Sequence, residues 1–73
     1  MNRNYSIIVQ WSEQYRCFAA ILPEWGEFGL AQGQTYEEAL SNGQKAIDSL
    51  IKSAVSNGQL LPEPLIFETS SLT

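Results

Sequence analysis

The sequence predicts an α+β fold: two layers in the order β-β-β-α-β, an antiparallel, hairpin-based sheet covered on one face by one long helix. Three observations predict it. Tyr5, Ile7, Val9 and Trp11 alternate with Ser6, Ile8 and Gln10, the period of two of a strand rich in β-branched and aromatic residues. Apolar residues from Tyr36 to Ala54 recur instead at steps of three and four, the period of a helix with one buried stripe. Between these segments, Leu22-Pro23, Gly26 and Gly29 mark a reversal, because proline donates nothing to a ladder and glycine turns where a side chain would clash.

The first strand is read at Tyr5 to Trp11. Ser12, Glu13 and Gln14 are polar and short enough for a hairpin turn, and Tyr15 to Ile21 returns as an antiparallel partner. Trp11 is expected to pack within this hairpin. After the reversal, Phe28 to Gln32 is long enough for a third, short strand, and Gly33-Gln34 leads into the helix.

The helix start carries several agreeing signals. Thr35 is the predicted N-cap, with its hydroxyl accepting from the Glu38 amide while the Glu38 carboxylate reaches back to the Thr35 amide. Glu37 and Glu38 also face the positive end of the helix dipole. Tyr36, Ala39, Leu40, Gly43, Ala46, Ile47, Leu50, Ile51 and Ala54 form the apolar stripe, and Gly43 within it implies a close crossing over the sheet. Asn57-Gly58 ends the helix, with Gly58 as the left-handed C′ residue. Pro62 and Pro64 then force an extended path, and Leu65-Ile66-Phe67 is read as a fourth strand.

The chain is read as one domain, residues 1–73, with an ordered core at about 4–68 and a frayed polar tail at 69–73. A domain this small buries only about 60% of its unfolded surface, so association into a dimer or tetramer is expected. Leu65, Ile66 and Phe67 are candidates for that contact, or for ordinary intramolecular pairing, if they lie on a sheet edge.

Composition excludes several function classes. Four Lys+Arg against eight Asp+Glu give a net charge of −4, and Arg3, Arg16, Lys45 and Lys52 are scattered. Direct nucleic-acid binding is therefore not expected, and a basic protein partner is favoured. With no histidine and one cysteine, Cys17, the common zinc ligand sets and an internal disulfide are out of reach. Cys17 is read as a small buried hydrophobe. No apolar run is long enough to span a membrane and no leader precedes the first strand, so a cytoplasmic location is expected.

The four glutamates of Leu22 to Leu40 could suggest acid–base chemistry or a metal. Capping accounts for Glu37 and Glu38. Glu24 and Glu27 remain on the reversal without histidine, an evident nucleophile or a phosphate loop beside them, so neither a catalytic role nor a cofactor is expected. Trp25 with Phe28 on the same reversal has two readings: a ring folded over the end of the sheet, or an interface anchor inside an acidic rim. On the second reading Glu24, Trp25, Glu27 and Phe28 form a partner-binding surface.

The order of hairpin, Leu-Pro reversal, short strand, glycine, Thr-x-Glu-Glu-Ala-Leu helix start and Leu-Pro-x-Pro segment resembles the N-terminal domain of the HicB antitoxins, from bacterial toxin–antitoxin pairs. The residues that carry the resemblance are Tyr5 to Val9, Tyr15 to Pro23, Gly33, Thr35 to Leu40, Ala46 and Leu61 to Pro64. It implies a fold likened to a truncated ribonuclease H domain, and a protein that binds and masks HicA, a small basic RNA-cleaving toxin. Two features depart from the family pattern. Pro23 to Glu27 replaces an aspartate-rich Leu-Pro-Gly turn, and only a few polar residues come after Phe67 where HicB proteins commonly carry a DNA-binding domain, so operator binding is not expected. The alternative is an orphan oligomeric scaffold or small-ligand-binding module that keeps the fold without a toxin. Nuclease activity is not expected, because Tyr5 to Trp11 carries no acidic side chain to help hold metal ions.

Overall fold

The computed structural model describes residues 4–66. Three strands, β1 (Ile8–Ser12), β2 (Cys17–Ile21) and β3 (Leu30–Gly33), form an antiparallel sheet in the order β1-β2-β3, and one helix, α1 (Tyr36–Ser56), packs on one face. The α+β class and the hairpin-plus-helix layering agree with the sequence. A fourth strand is not formed by Leu65 and Ile66, and Phe67 lies outside the described residues. The reason is where the backbone donors go: Pro62 and Pro64 have none, and the Leu65 amide is taken by the Glu24 carboxylate at 2.8 Å instead of a strand carbonyl. Leu65 and Ile66 are both exposed.

The hairpin's connection is longer than expected, and its first strand begins at Ile8, not Tyr5. β1 pairs with β2 from Ile8↔Ile21 to Ser12↔Cys17, so the connection runs over residues 13–16 and β2 begins at Cys17, not Tyr15. Arg16 takes a left-handed conformation (φ 55°) to close it, the Ser12 hydroxyl accepts from the Tyr15 amide at 3.2 Å, and Arg16 pairs with Glu13 at 3.7 Å. β3 continues the sheet through Phe18↔Gly33 to Ile21↔Leu30.

Alternation assigns the two sheet faces. Phe18 meets Tyr36 of the helix edge-on at 6.1 Å, and Ala20 and Gly33 lie against α1, so Val9, Trp11, Phe18, Ala20, Ala31 and Gly33 face the helix. Ile8, Gln10, Ala19, Ile21, Leu30 and Gln32 form the open face. The core between the layers is Leu22, Ile47 and Ile51, with Tyr5, Ile7, Trp25, Ala46 and Leu50 packed around it. Ala39, Gly43, Ile47, Ile51 and Ala54 are the buried residues of α1, the stripe read from its periodicity. Cys17 is buried and unbonded to another cysteine.

Both helix ends are closed by side-chain or backbone devices. The Thr35 hydroxyl accepts from the Glu38 amide at 3.0 Å, as expected of an N-cap. The Glu38 carboxylate, however, accepts from the Gln34 amide, one residue before the one expected. At the other end Gly58 (φ 69°) donates to Val55 O and Gln59 donates to Ala54 O, the paired bonds of a Schellman motif. Thr35→Ala should cost about 1 kcal/mol. Its urea unfolding midpoint should fall at unchanged slope, and an unmoved midpoint would contradict the capping role.

Candidate functional site

The reversal between β2 and β3 is two single 3₁₀ turns, Pro23–Phe28, kinked at Gly26 (φ 61°, ψ −136°). Only glycine adopts that combination without strain. The segment is closed on itself by Leu22 N–H to Gly29 O (2.8 Å), Trp25 N–H to Leu22 O (2.9 Å) and Gly29 N–H to Gly26 O (3.0 Å). Its two ends are therefore held together across the last pair of the sheet, Ile21↔Leu30.

Glu24 points inward, contrary to its expected place on a solvent-exposed rim. Its carboxylate accepts from the Ser6 amide at 3.1 Å, the Ser6 hydroxyl at 3.0 Å and the Leu65 amide at 2.8 Å. The Ser6 hydroxyl also reaches Leu65 O at 3.3 Å, and the Tyr5 hydroxyl donates to Pro62 O at 2.8 Å. One carboxylate thus ties the start of the chain, the reversal and the segment after the helix. Desolvation alone would raise the Glu24 pKa, but the Leu65, Ser6 and Glu24 amides and the Ser6 hydroxyl outweigh it and hold the carboxyl below its ordinary range.

This gives a signed pH dependence. A carboxylate whose pKa is lower in the folded than in the unfolded chain stabilises fully above its unfolded value, and the contribution is lost as pH falls through the folded value. Glu24→Gln should cost about 1–2 kcal/mol near pH 7, a charge-assisted bond set discounted for its half-exposed position. The difference in urea midpoint between wild type and Glu24→Gln should shrink as pH is lowered from about 5 to about 3. A difference that stays constant over that interval would contradict it.

Trp25 is also drawn in. Its ring lies 5.2 Å from that of Tyr5 at 58° and packs against the Leu22–Ile47–Ile51 core, the first of its two sequence readings. The indole N–H is buried with no acceptor among the described residues. Nothing is assigned to the Glu27 and Phe28 side chains, which lie outside the description, although their backbones belong to the second turn of the reversal. The four residues read as a partner surface therefore do not present Glu24 and Trp25 outward.

Exposed apolar surface occurs elsewhere. Ile8, Ile21 and Leu30 stand in one row across all three strands on the open face of the sheet, and Ile8 and Leu30 are 43% and 55% exposed. This row adjoins the reversal, since Ile21 and Leu30 flank it. Alternation could have marked two of its members, since reading Ile8 and Ile21 as the outward residues of their strands leaves them with no helix to cover them.

On the helix side, Trp11 meets Phe18 edge-on at 5.2 Å, as expected for the hairpin, but remains 48% exposed with its indole N–H on Glu13 at 2.7 Å. Among the described residues no group of three or more His, Cys, Asp or Glu side chains could share a metal ion, and no helix is long and apolar enough to cross a membrane. No protein-family model, curated protein or solved structure matches the chain.

Proposed function

We propose that the chain is a HicB-like antitoxin domain that binds and masks a small basic, HicA-type RNA-cleaving toxin by protein–protein contact, without a cofactor. The reading rests on the resemblance carried by the hairpin, the Leu-Pro reversal, the capped Thr-x-Glu-Glu helix start and the Leu-Pro-x-Pro segment. The observation that carries it furthest is the uncovered row Ile8–Ile21–Leu30 on a chain of net charge −4. An antiparallel sheet can leave its second face to water, but an apolar row there suits a protein partner, and the acidic balance favours a basic one. The mechanism is occlusion: the toxin's RNA-binding surface is covered, and charge speeds the encounter.

The sequence-derived docking surface is shifted by this reading. Glu24 and Trp25 shape the reversal that borders the row, while the row makes the contact. Leu30→Arg places a cation on that row and should weaken co-purification with a tagged HicA-type protein by at least about 2 kcal/mol, with circular dichroism unchanged. Equal recovery of toxin by wild type and variant would remove the open face from the interface.

A further inference from the structure

Beyond the helix end the chain runs on through residues 60–66, which form neither helix nor strand. Leu60, Leu61, Leu65 and Ile66 are exposed, Leu60 almost completely, while Pro62 and Pro64 are half-buried. None of those four apolar side chains belongs to the Leu22–Ile47–Ile51 core or to the ring packed around it. The stretch therefore gains much less from apolar burial than the sheet and helix do, and segments of that kind open at a lower free energy than the core.

Among the described residues, what fastens it is polar. The Leu65 amide donates to the Glu24 carboxylate at 2.8 Å, and the Tyr5 hydroxyl donates to Pro62 O at 2.8 Å. The Ser6 hydroxyl has a single proton and lies nearer Glu24 (3.0 Å) than Leu65 O (3.3 Å), so Glu24 is its main partner. A charge-assisted bond is roughly twice as strong as a neutral one, which makes Glu24 the stronger of the two fastenings. So few bonds suffice because Pro62 and Pro64 fix φ and leave the detached stretch less freedom to lose on closing.

We propose that residues 60–66 are a strap that opens as a unit, with Glu24 as its latch, while the three strands, the reversal and α1 stay folded. Every strand pair lies between residues 8 and 33, and the helix end is closed by Gly58 and Gln59 before the strap begins. Opening therefore breaks no ladder and no helix bond. Glu24 keeps the Ser6 amide and hydroxyl when the strap leaves, so the chain start stays tied to the reversal. What opening bares, beside the start of β1, is the Tyr5 hydroxyl and the side of the Glu24 carboxylate that the strap backbone otherwise occupies.

Amide hydrogen exchange of the full chain, followed residue by residue across subdenaturing urea, separates strap opening from unfolding. The Leu65 amide should be protected, but at least about 10-fold less than the amides of Ile47 and Ile51 and with a weaker urea dependence. Tyr5→Phe keeps the ring and should lower Leu65 protection about fivefold. Glu24→Gln should lower it at least about 10-fold while Ile47 and Ile51 stay protected. A Leu65 amide that is unprotected in the wild type, or that shares the protection and urea slope of Ile51, would overturn the proposal. So would Leu65 protection unchanged in either variant, which would assign the fastening to other groups. Loss of protection at Ile47 and Ile51 along with Leu65 in Glu24→Gln would show strap and body to be one unit, and would overturn it as well.

Discussion

Gly33→Ala is expected to remove a large part of the native stability. An alanine Cβ at this position would lie 2.7 Å from the Glu38 carbonyl carbon and 2.8 Å from Ala39 Cα, and would also collide with Ala39 N. All three are backbone atoms of the first helical turn, so no rotamer change relieves the contact. The helix must lift from β3, and with it the Asn42 bond to Gln32 O and the burial of Ala39. The cost should be at least about 3 kcal/mol, against a total of roughly 4–11 kcal/mol for a chain of this size.

Gly43→Ala is the internal control. Its Cβ would meet only side chains, Ala20 Cβ at 3.2 Å and Ile7 Cγ2 at 3.3 Å. The gain of about 1 kcal/mol in helix propensity offsets much of that crowding. A urea midpoint far lower for Gly33→Ala than for Gly43→Ala is the predicted outcome. Equal midpoints would contradict the close backbone approach.

Leu22→Ala is expected to cost about 3 kcal/mol, within the usual range for a fully buried leucine in a core that collapses only partly. Leu22 has no exposed surface and touches both layers, with Ile47 and Ile51 of the helix on one side and the Trp25 ring of the reversal beside it. Its backbone also closes the reversal through Gly29 and Trp25. The substitution therefore opens a cavity beneath Trp25, and a red shift in tryptophan emission should accompany the loss of urea resistance. Lost stability with unchanged emission would place the cavity elsewhere, and a loss below about 1 kcal/mol would show that the site refills.

How much of this was legible in the sequence depends on how far apart the interacting residues are. The Thr35 cap, the Gly58 terminus and the buried stripe of α1 are set by residues within a turn or two of one another, and periodicity and capping rules find them. Glu24 is different. Its partners, Ser6 and Leu65, are 18 and 41 positions away, and no local pattern distinguishes a carboxylate that collects three distant donors from one that faces water. The same long-range bond explains why Leu65 and Ile66 form no strand. The β-prone composition of Leu65 and Ile66 was visible, but the destination of the Leu65 amide was not.

Trp25 shows the complementary limit. A loop tryptophan between glutamates reads equally well as an interface anchor or as a ring closing the core, and only the position of Tyr5, twenty residues earlier, decides for the core. The hairpin misread has a local cause. Tyr15 looks like a strand residue, yet the left-handed Arg16 lengthens the turn and moves the start of β2 to Cys17. The open Ile8–Ile21–Leu30 row needed the pairing register, which alternation within one strand does not supply.

The central claim, that this acidic domain masks a basic RNA-cleaving protein, is tested most directly by titrating the chain into a HicA-type toxin and following cleavage of a labelled RNA. The account predicts that cleavage falls in proportion to added chain and ceases near one domain per toxin, with Leu30→Arg requiring a large excess. RNA cleavage that proceeds undiminished at a several-fold excess of folded chain would contradict it.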